Sequence, residues 1–317
     1  MAAKHEKKMK RVNIRLISIL LCVCLLIVGA VVAFLDAERP EVLTWRRVFK
    51  TLGLGSVSDV DAPMQVHVLD VGKADCILVR CEEKNILIDS GYYDASDQIL
   101  NYLKYLRIDT LDMAVVTHPD ADHTGSMAKI LSKIHTDRLL LTRPPLDVSG
   151  YANSYRTLLR EVQEMETEVS YAAVDDSFEF SQLYVYVLSP ARRYDSENDN
   201  SIVLHMEYLD TSYLFMGDAE EAAEREIFRS FPGLESDFIK IGHHGSATST
   251  TAMLLDTVKP RYAAISVGED NSNLPKEEVL ERLRERNIEF YRTDFDGTCV
   301  FYSDGETIGV KTEEGIK

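Results

Sequence analysis

The segment Thr117-His118-Pro119-Asp120-Ala121-Asp122-His123 sets four potential metal ligands into six positions, directly behind the apolar run Met113-Ala114-Val115-Val116 and ahead of Thr124-Gly125-Ser126. Such a run fits a strand that empties into a loop. Side chains at alternate positions of that loop point the same way, so His118, Asp120 and Asp122 can converge while His123 opens the next helix. Any one of these residues also suits turn chemistry, with Asp122 or Thr124 as a helix N-cap and Pro119 in the turn. Their density argues for a cation, because Asp and His packed this closely need one to offset their mutual repulsion. Imidazole together with carboxylate suits Zn²⁺, Mn²⁺ or Fe²⁺, and two such ions about 3.5–4 Å apart can clamp the attacking and leaving oxygens of a hydrolysis.

Two more loops share this design. Leu214-Phe215-Met216-Gly217-Asp218 is an apolar strand that delivers one carboxylate at its tip, where a glycine allows close approach and a bridging role is open to Asp218. Alone, the Gly-Asp pair is equally a helix N-cap before Ala219-Glu220-Glu221. Phe238-Ile239-Lys240-Ile241-Gly242-His243-His244-Gly245-Ser246 again ends a strand on glycine and then presents two adjacent imidazoles. Adjacent side chains diverge, so one of His243 and His244 is expected on metal and the other on substrate, as phosphate donor or acid/base. Ser246, Thr248 and Ser249 can bond substrate oxygens or cap the next helix. In α/β sheets, sites gather at the C-terminal edge of the strands, which makes the three loops more informative together than apart.

The rest of the chain sets bounds. Its 317 residues, 45% hydrophobic, suffice for one substantial core and are too few for three domains. A formal net charge of −17 leaves no global field to attract nucleic acid, so a polyanionic substrate depends on bound cations and a few local bases. Lys4, Lys7, Lys8, Lys10, Arg11 and Arg15 crowd the N-terminus, and an uncharged apolar run covers 16–35, the length a helix needs to cross a bilayer. The expectation is a basic cytoplasmic segment 1–15, a single transmembrane anchor 16–35, a linker 36–62 with one interfacial helix near 45–52, and a hydrolase domain 63–317 outside the cell membrane. A cleaved signal peptide is the competing reading; its apolar stretch is normally shorter, about 7–15 residues, and followed by a small-x-small cleavage site. Cys22 and Cys24 lie in the apolar run; Cys76, Cys81 and Cys299 are expected as buried free thiols, with no cysteine on the metal.

Periodicity places strands at 64–71, 76–80 and 85–89, read as an antiparallel meander, followed by helix 97–106, strand 113–117, helix 123–134, strand 138–141 and helix 152–165. A second set follows: strands 178–180, 183–188, 202–209 and 213–216, helix 219–229, strand 238–241, helix 250–258, strand 262–266, helix 276–286, and closing strands near 289–291, 298–302 and 307–310. Two sheets with helices outside each, a four-layer αβ/βα sandwich preceded by the transmembrane helix, is the simplest packing of this order.

Over 64–310 the chain resembles the metallo-β-lactamase superfamily, and within it the extracellular domain of ComEC-type competence (DNA-uptake) proteins. The resemblance rests on Leu69-Asp70-Val71-Gly72-Lys73-Ala74-Asp75, Asn85-Ile86-Leu87-Ile88-Asp89-Ser90-Gly91, the 117–125 loop, Asn198-Asp199-Asn200-Ser201-Ile202-Val203-Leu204, Phe215-Met216-Gly217-Asp218-Ala219-Glu220, the 240–246 loop and Ala264-Ile265-Ser266-Val267-Gly268. It implies a binuclear Zn²⁺ or Mn²⁺ centre. His118 and Asp120, the latter standing for a histidine, would hold the first ion; Asp122 and His123 the second; Asp218 would bridge, and His243 or His244 would complete the set.

It also implies a phosphodiesterase, with DNA as the substrate class it points to, in which Asp122, Asp218 and His244 act on the reaction. His243 and Ser246, with Lys73 or Lys240, would meet the substrate. Small phosphoesters, wall-polymer phosphodiesters and lactones remain alternatives, as does a non-catalytic or weakly active metal-binding scaffold of the envelope; oligomeric state stays open. The chain departs from the family at Lys73-Ala74, where Gln-Gly is usual, and at Leu274, where the resemblance leads one to expect an imidazole.

Overall fold

Strands whose both faces are covered read as unbroken apolar runs, and the central strands here do. A computed structural model describes residue 23 and residues 26–31, 60–145, 147–268 and 273–313. The chain divides into two units, 1–55 and 56–317. In the first, Val23 and residues 26–31 are helical, and the remainder of the expected anchor and the helix at 45–52 lie outside the described residues. Among the described residues no helix is long and apolar enough to cross a membrane.

Among the described residues of the second unit, fifteen strands form two sheets. They are β1 Met64–Val68, β2 Ile77–Cys81, β3 Lys84–Ile88, β4 Thr110–Val116, β5 His135–Leu141, β6 Glu168–Tyr171, β7 Ser177–Phe180, β8 Leu183–Ser189, β9 Val203–Tyr208, β10 Thr211–Phe215, β11 Phe238–Lys240, β12 Tyr262–Ile265, β13 Glu289–Arg292, β14 Cys299–Ser303 and β15 Ile308–Thr312. One sheet has the order β15-β14-β1-β2-β3-β4-β5-β6, the other β13-β12-β11-β10-β9-β8-β7. Each begins as an antiparallel meander and continues as parallel strands, from β3 to β6 in the first and from β10 to β13 in the second.

Side-chain alternation sorts the core into three layers. Ile77, Val79 and Cys81 of β2 point between the sheets, where they meet Val185, Leu204, Phe215 and Phe238 of the second sheet. Leu78 and Leu87 point the other way, onto the helices Ser96–Tyr105, Met127–Leu131 and Asn153–Glu161. On the far side, Leu214, Ile239 and Ala263 pack under the helices Glu221–Ser230, Ala252–Val258 and Glu277–Glu285. The inter-sheet layer is pinned by aromatics, with Phe238 and Phe301 rings 4.5 Å apart and Tyr291 at 5.6 Å from Phe301. The four layers expected from the element order are present.

Several local expectations were off for identifiable reasons. Strand 64–71 stops at Val68, and the expected helix 123–134 is two short helices, Ala121–Thr124 and Met127–Leu131. The break falls where Gly125 lies against the 91–93 backbone so closely that a Cβ there would stand 2.5 Å from the Gly91 carbonyl oxygen. Strand β6 was missed because Glu168-Val169-Ser170-Tyr171 is a half-exposed edge with too little apolar alternation to register. Cys76, Cys81 and Cys299 are buried free thiols.

One buried acid holds the last of the three loops from behind. Glu224, with no solvent exposure, accepts from the backbone N–H of Thr250 and Thr251 and from the Thr251 hydroxyl. Arg282 donates to the Ser249 and Thr250 carbonyls, and the Ser249 hydroxyl donates to the Gly242 carbonyl at 2.7 Å. Glu224→Ala strands the buried N–H of Thr250 and the part-buried N–H of Thr251 and is expected to cost about 2–4 kcal/mol of stability, read as a lower urea midpoint with an unchanged slope.

Candidate metal centre

The C-terminal ends of β1, β3, β4, β10 and β11 meet along one edge of the sandwich, and the three predicted loops meet with them. His118 and His123 are fully buried, their ring centroids 4.0 Å apart, and the His244 ring lies 5.5 Å from that of His123. Asp218 sits among them: Oδ1 is 3.4 Å from His123 Nε2, and Oδ2 is 3.7 Å from His118 Nε2 and 3.9 Å from the Nε2 atoms of both His243 and His244. Asp122 Oδ2 is 3.5 Å from His244 Nε2. Asp120 lies at the mouth, half exposed, with Oδ2 3.8 Å from His118 Nε2.

All four imidazoles present the same nitrogen inward, because every Nδ1 is taken. His123 Nδ1 donates to Asp89 at 2.8 Å, and His244 Nδ1 donates to the Ser266 carbonyl at 2.9 Å. His243 Nδ1 faces Glu220 at 3.1 Å. The Thr117 hydroxyl spends its one proton on Asp89, so towards His118 Nδ1, 3.2 Å away, it can only accept. With Nδ1 protonated, Nε2 carries a lone pair aimed at the centre. The sequence placed His243 and His244 together but not apart. Both hold a left-handed backbone, φ 47° and 53°, and this sends His244 into the interior while His243 stays at the mouth beside Asn198 and Glu220.

The electrostatics ask for positive charge. Burial pushes the His118 imidazole down to about 3, with His123 adding to the effect. Burial also opposes a charged His123, but the Asp218 and Asp89 carboxylates outweigh it and raise that imidazole well above its ordinary range. Burial likewise opposes the Asp218 anion, yet His123 and His244 hold its carboxyl well below the usual carboxylate range.

The donor set fits divalent metal. The Nε2 atoms of His118, His123 and His244 and Oδ1 of Asp218 are buried without a hydrogen-bond partner, an expensive state that a coordinated cation relieves. His118, His123 and Asp218 form one group, Asp122, His123 and His244 another, and Asp75, Asp89 and His123 a third, each with ligand atoms within 4.8 Å of one another; in the third, Asp75 accepts from Lys240, and Asp89 from His123 Nδ1 and the Thr117 hydroxyl.

Other predicted residues fall around this centre. Lys73 reaches the mouth, its Nζ 3.6 Å from Asp122 Oδ2. Ser246 is half-buried and bonded to the Thr248 hydroxyl at 2.9 Å, which in turn donates to Glu220. Lys240, expected as a possible substrate contact, is not one: it has no solvent exposure and donates to Asp75 at 2.8 Å. Residue parity explains this, since β11 turns Lys240 between the sheets while Ile239 and Ile241 pack under the helices. Leu274 packs against the helix-side core beneath the 243–245 turn, where Pro275 presses on Gly245. Asp75 and Asp89 were not among the predicted site residues, although both are buried at the centre; a carboxylate directly behind Ile86-Leu87-Ile88 was the available signal.

Residues 69–140 match the metallo-beta-lactamase superfamily. By fold, the unit is similar to CmlA, a diiron beta-hydroxylase from Streptomyces venezuelae, with a TM-score of 0.51 and 14% identity over 80% of this chain and 59% of that one. It is similar also to the metallo-beta-lactamase fold protein YhfI from Bacillus subtilis, with a TM-score of 0.50 and 9% identity over 78% of this chain and 99% of that one. The chain carries a domain of the metallo-β-lactamase superfamily, most of whose members are metal-dependent hydrolases.

The curated relatives it resembles include competence-type proteins. ComE operon protein 3 of Bacillus subtilis is 30% identical over 260 residues, 75% of this chain and 33% of that protein. Competence protein ComA of Neisseria gonorrhoeae is 30% identical over 240 residues, 74% of this chain and 32% of that protein. The chain thus spans about a third of the length of these relatives.

Asp89 orients His123 through Nδ1 and takes the Thr117 N–H as well, at 2.8 Å. Asp89→Ala is expected to weaken Zn²⁺ binding about 10–100-fold, measured by competition with a chromophoric chelator; an affinity within twofold of the parent would show that Asp89 does not orient the ring.

Proposed function

We propose that this domain is a binuclear metal-dependent phosphodiesterase, and that the basic segment 1–15 and apolar run 16–35 hold it on the outer face of the cell membrane. The observation that carries the first part is the presence of three bare, buried imidazole nitrogens and one bare carboxylate oxygen in two adjoining ligand groups that share His123. His118 with Asp120 would hold one ion, Asp122, His123 and His244 the other, and Asp218, whose two oxygens face both groups, would lie between them. When bound, two such ions supply Lewis acidity and a water of lowered pKa.

The protein's own residues do the rest. Asp89, the Thr117 hydroxyl and the Ser266 carbonyl orient the rings through Nδ1, which leaves Nε2 as the nitrogen turned towards the centre. Burial excludes bulk water from all but the mouth. There Lys73 supplies a cation for an approaching phosphate, and half-exposed His243, braced by Glu220 and Asn198, offers Nε2 for a hydrogen bond or a proton. The similarity to competence proteins favours a DNA strand as the phosphodiester, with a net charge of −17 confining recognition to this mouth.

One observation favours a second reading, a metal-bound scaffold of low turnover: Leu274 stands where the resemblance leads one to expect an imidazole. Hydrolysis of bis-p-nitrophenyl phosphate and of single-stranded DNA by the Mn²⁺- or Zn²⁺-loaded protein separates the two. The phosphodiesterase reading expects turnover that is lost on chelation and reduced at least about a hundredfold in His123→Ala and Asp218→Ala. Full metal occupancy without turnover supports the scaffold, and Leu274→His would then be expected to bring turnover up. For the anchor, the full chain is expected in the membrane fraction after an alkaline carbonate wash, with its C-terminus open to external protease; recovery in the wash would refute it.

A further inference from the structure

Lys240 is among the largest fully buried side chains of the described residues, and it is a cation. It leaves the middle of the second sheet on β11, with Phe215 and Ala264 as its register neighbours, and crosses to an acid that belongs to the first sheet. That acid is Asp75, on the loop between β1 and β2. Asp75 Oδ2 accepts from Lys240 Nζ at 2.8 Å, and both side chains are 1% exposed. Lys240 also donates to the Ile241 carbonyl at 3.1 Å.

A buried ion pair is a poor device for stability alone, since desolvating two charges costs about as much as their attraction returns, and an apolar pair of similar volume serves as well. The surroundings of Asp75 suggest what else it does. Its second oxygen, Oδ1, is buried without a hydrogen-bond partner and lies 3.6 Å from His244 Nδ1, on the side of the ring turned away from the centre. Its backbone N–H donates to the Asp122 carbonyl at 3.1 Å, and its carbonyl accepts from Gly91 N–H at 2.7 Å. Asp75 thereby touches the backs of two residues of one group, Asp122 and His244, and Lys240 fixes where Asp75 stands. His118 and Asp120, in the other group, make no such contact with the pair among the described residues.

We propose that Lys240 and Asp75 are a positioning pair for one half of the centre, a buried tie across the two sheets that sets His244 and Asp122 at the spacing one metal ion needs. The proposal rests on the binuclear reading above. Lys240 acts through Asp75 and never meets substrate, so its loss is expected in one ion's affinity rather than in the centre as a whole.

The test is a Zn²⁺ titration of the full chain against a chromophoric chelator, beside a thermal melt of the metal-free protein. The parent is expected to bind two ions. Lys240→Met and Asp75→Asn are each expected to weaken one of the two sites about 10–100-fold and to leave the other within about threefold. Asp75→Asn keeps the shape of the side chain and serves if Lys240→Met does not fold. The double variant Asp75→Asn/Lys240→Met is expected to weaken the same site no more than the worse single change, because both singles break one tie.

Two sites of parental affinity in a variant with a lowered melting temperature would make the pair structural only and overturn the proposal. An equal loss at both sites would overturn it too. A parent that binds no second ion would instead overturn the binuclear reading itself, an outcome visible before any variant is made.

Discussion

Four carboxylates, those of Asp75, Asp89, Asp122 and Asp218, lie buried or nearly so at one edge of this fold, and anions in such a place must be compensated. The compensation is divided. Lys240 meets Asp75; His123 meets Asp89 on one nitrogen and Asp218 on the other; His244 reaches Asp122 and Asp218. Even so, the Nε2 atoms of His118, His123 and His244 and Oδ1 of Asp218 keep no hydrogen-bond partner among the described residues, and this gives the site its appetite for cations. The sheets, glycines and caps around it serve to bring the acids together and keep water from diluting their field.

Much of this was legible in the chain because strand ends announce themselves. Met113-Ala114-Val115-Val116, Leu214-Phe215-Met216 and Phe238-Ile239 are apolar on both faces, and each is followed at once by residues that make no sense in a core. That pattern locates the three loops and, with the strand and helix order, the two-sheet sandwich. The resemblance then adds the family, which the similarity of residues 69–140 bears out.

What was not legible lies in contacts between loops. Nothing near Lys240 in sequence separates a surface base from a buried one; only the partner Asp75, on a loop between two strands of the other sheet, decides it. The division of labour between His243 and His244 depends on two φ angles that no neighbouring residue dictates. Gly125, read as the third residue of a helix, is a contact point whose missing Cβ lets the 117–125 loop rest on the backbone at 91–93. Such close approaches are set by the far side of the contact, which sequence periodicity does not see.

The placing of β1 carries a consequence for how the molecule is made. Its first strand lies inside the first sheet between β2 and β14, so Met64 pairs with Ser303, a residue near the other end of the folded unit. A ribosome delivers that partner long after β1. Until 299–303 emerge, β1 offers an open ladder edge, and the loop from it to Asp75 has one wall missing. Completion of the first sheet therefore waits on residues 299–312, which makes this a slow-closing topology and a protein that profits from being guarded while it is synthesised.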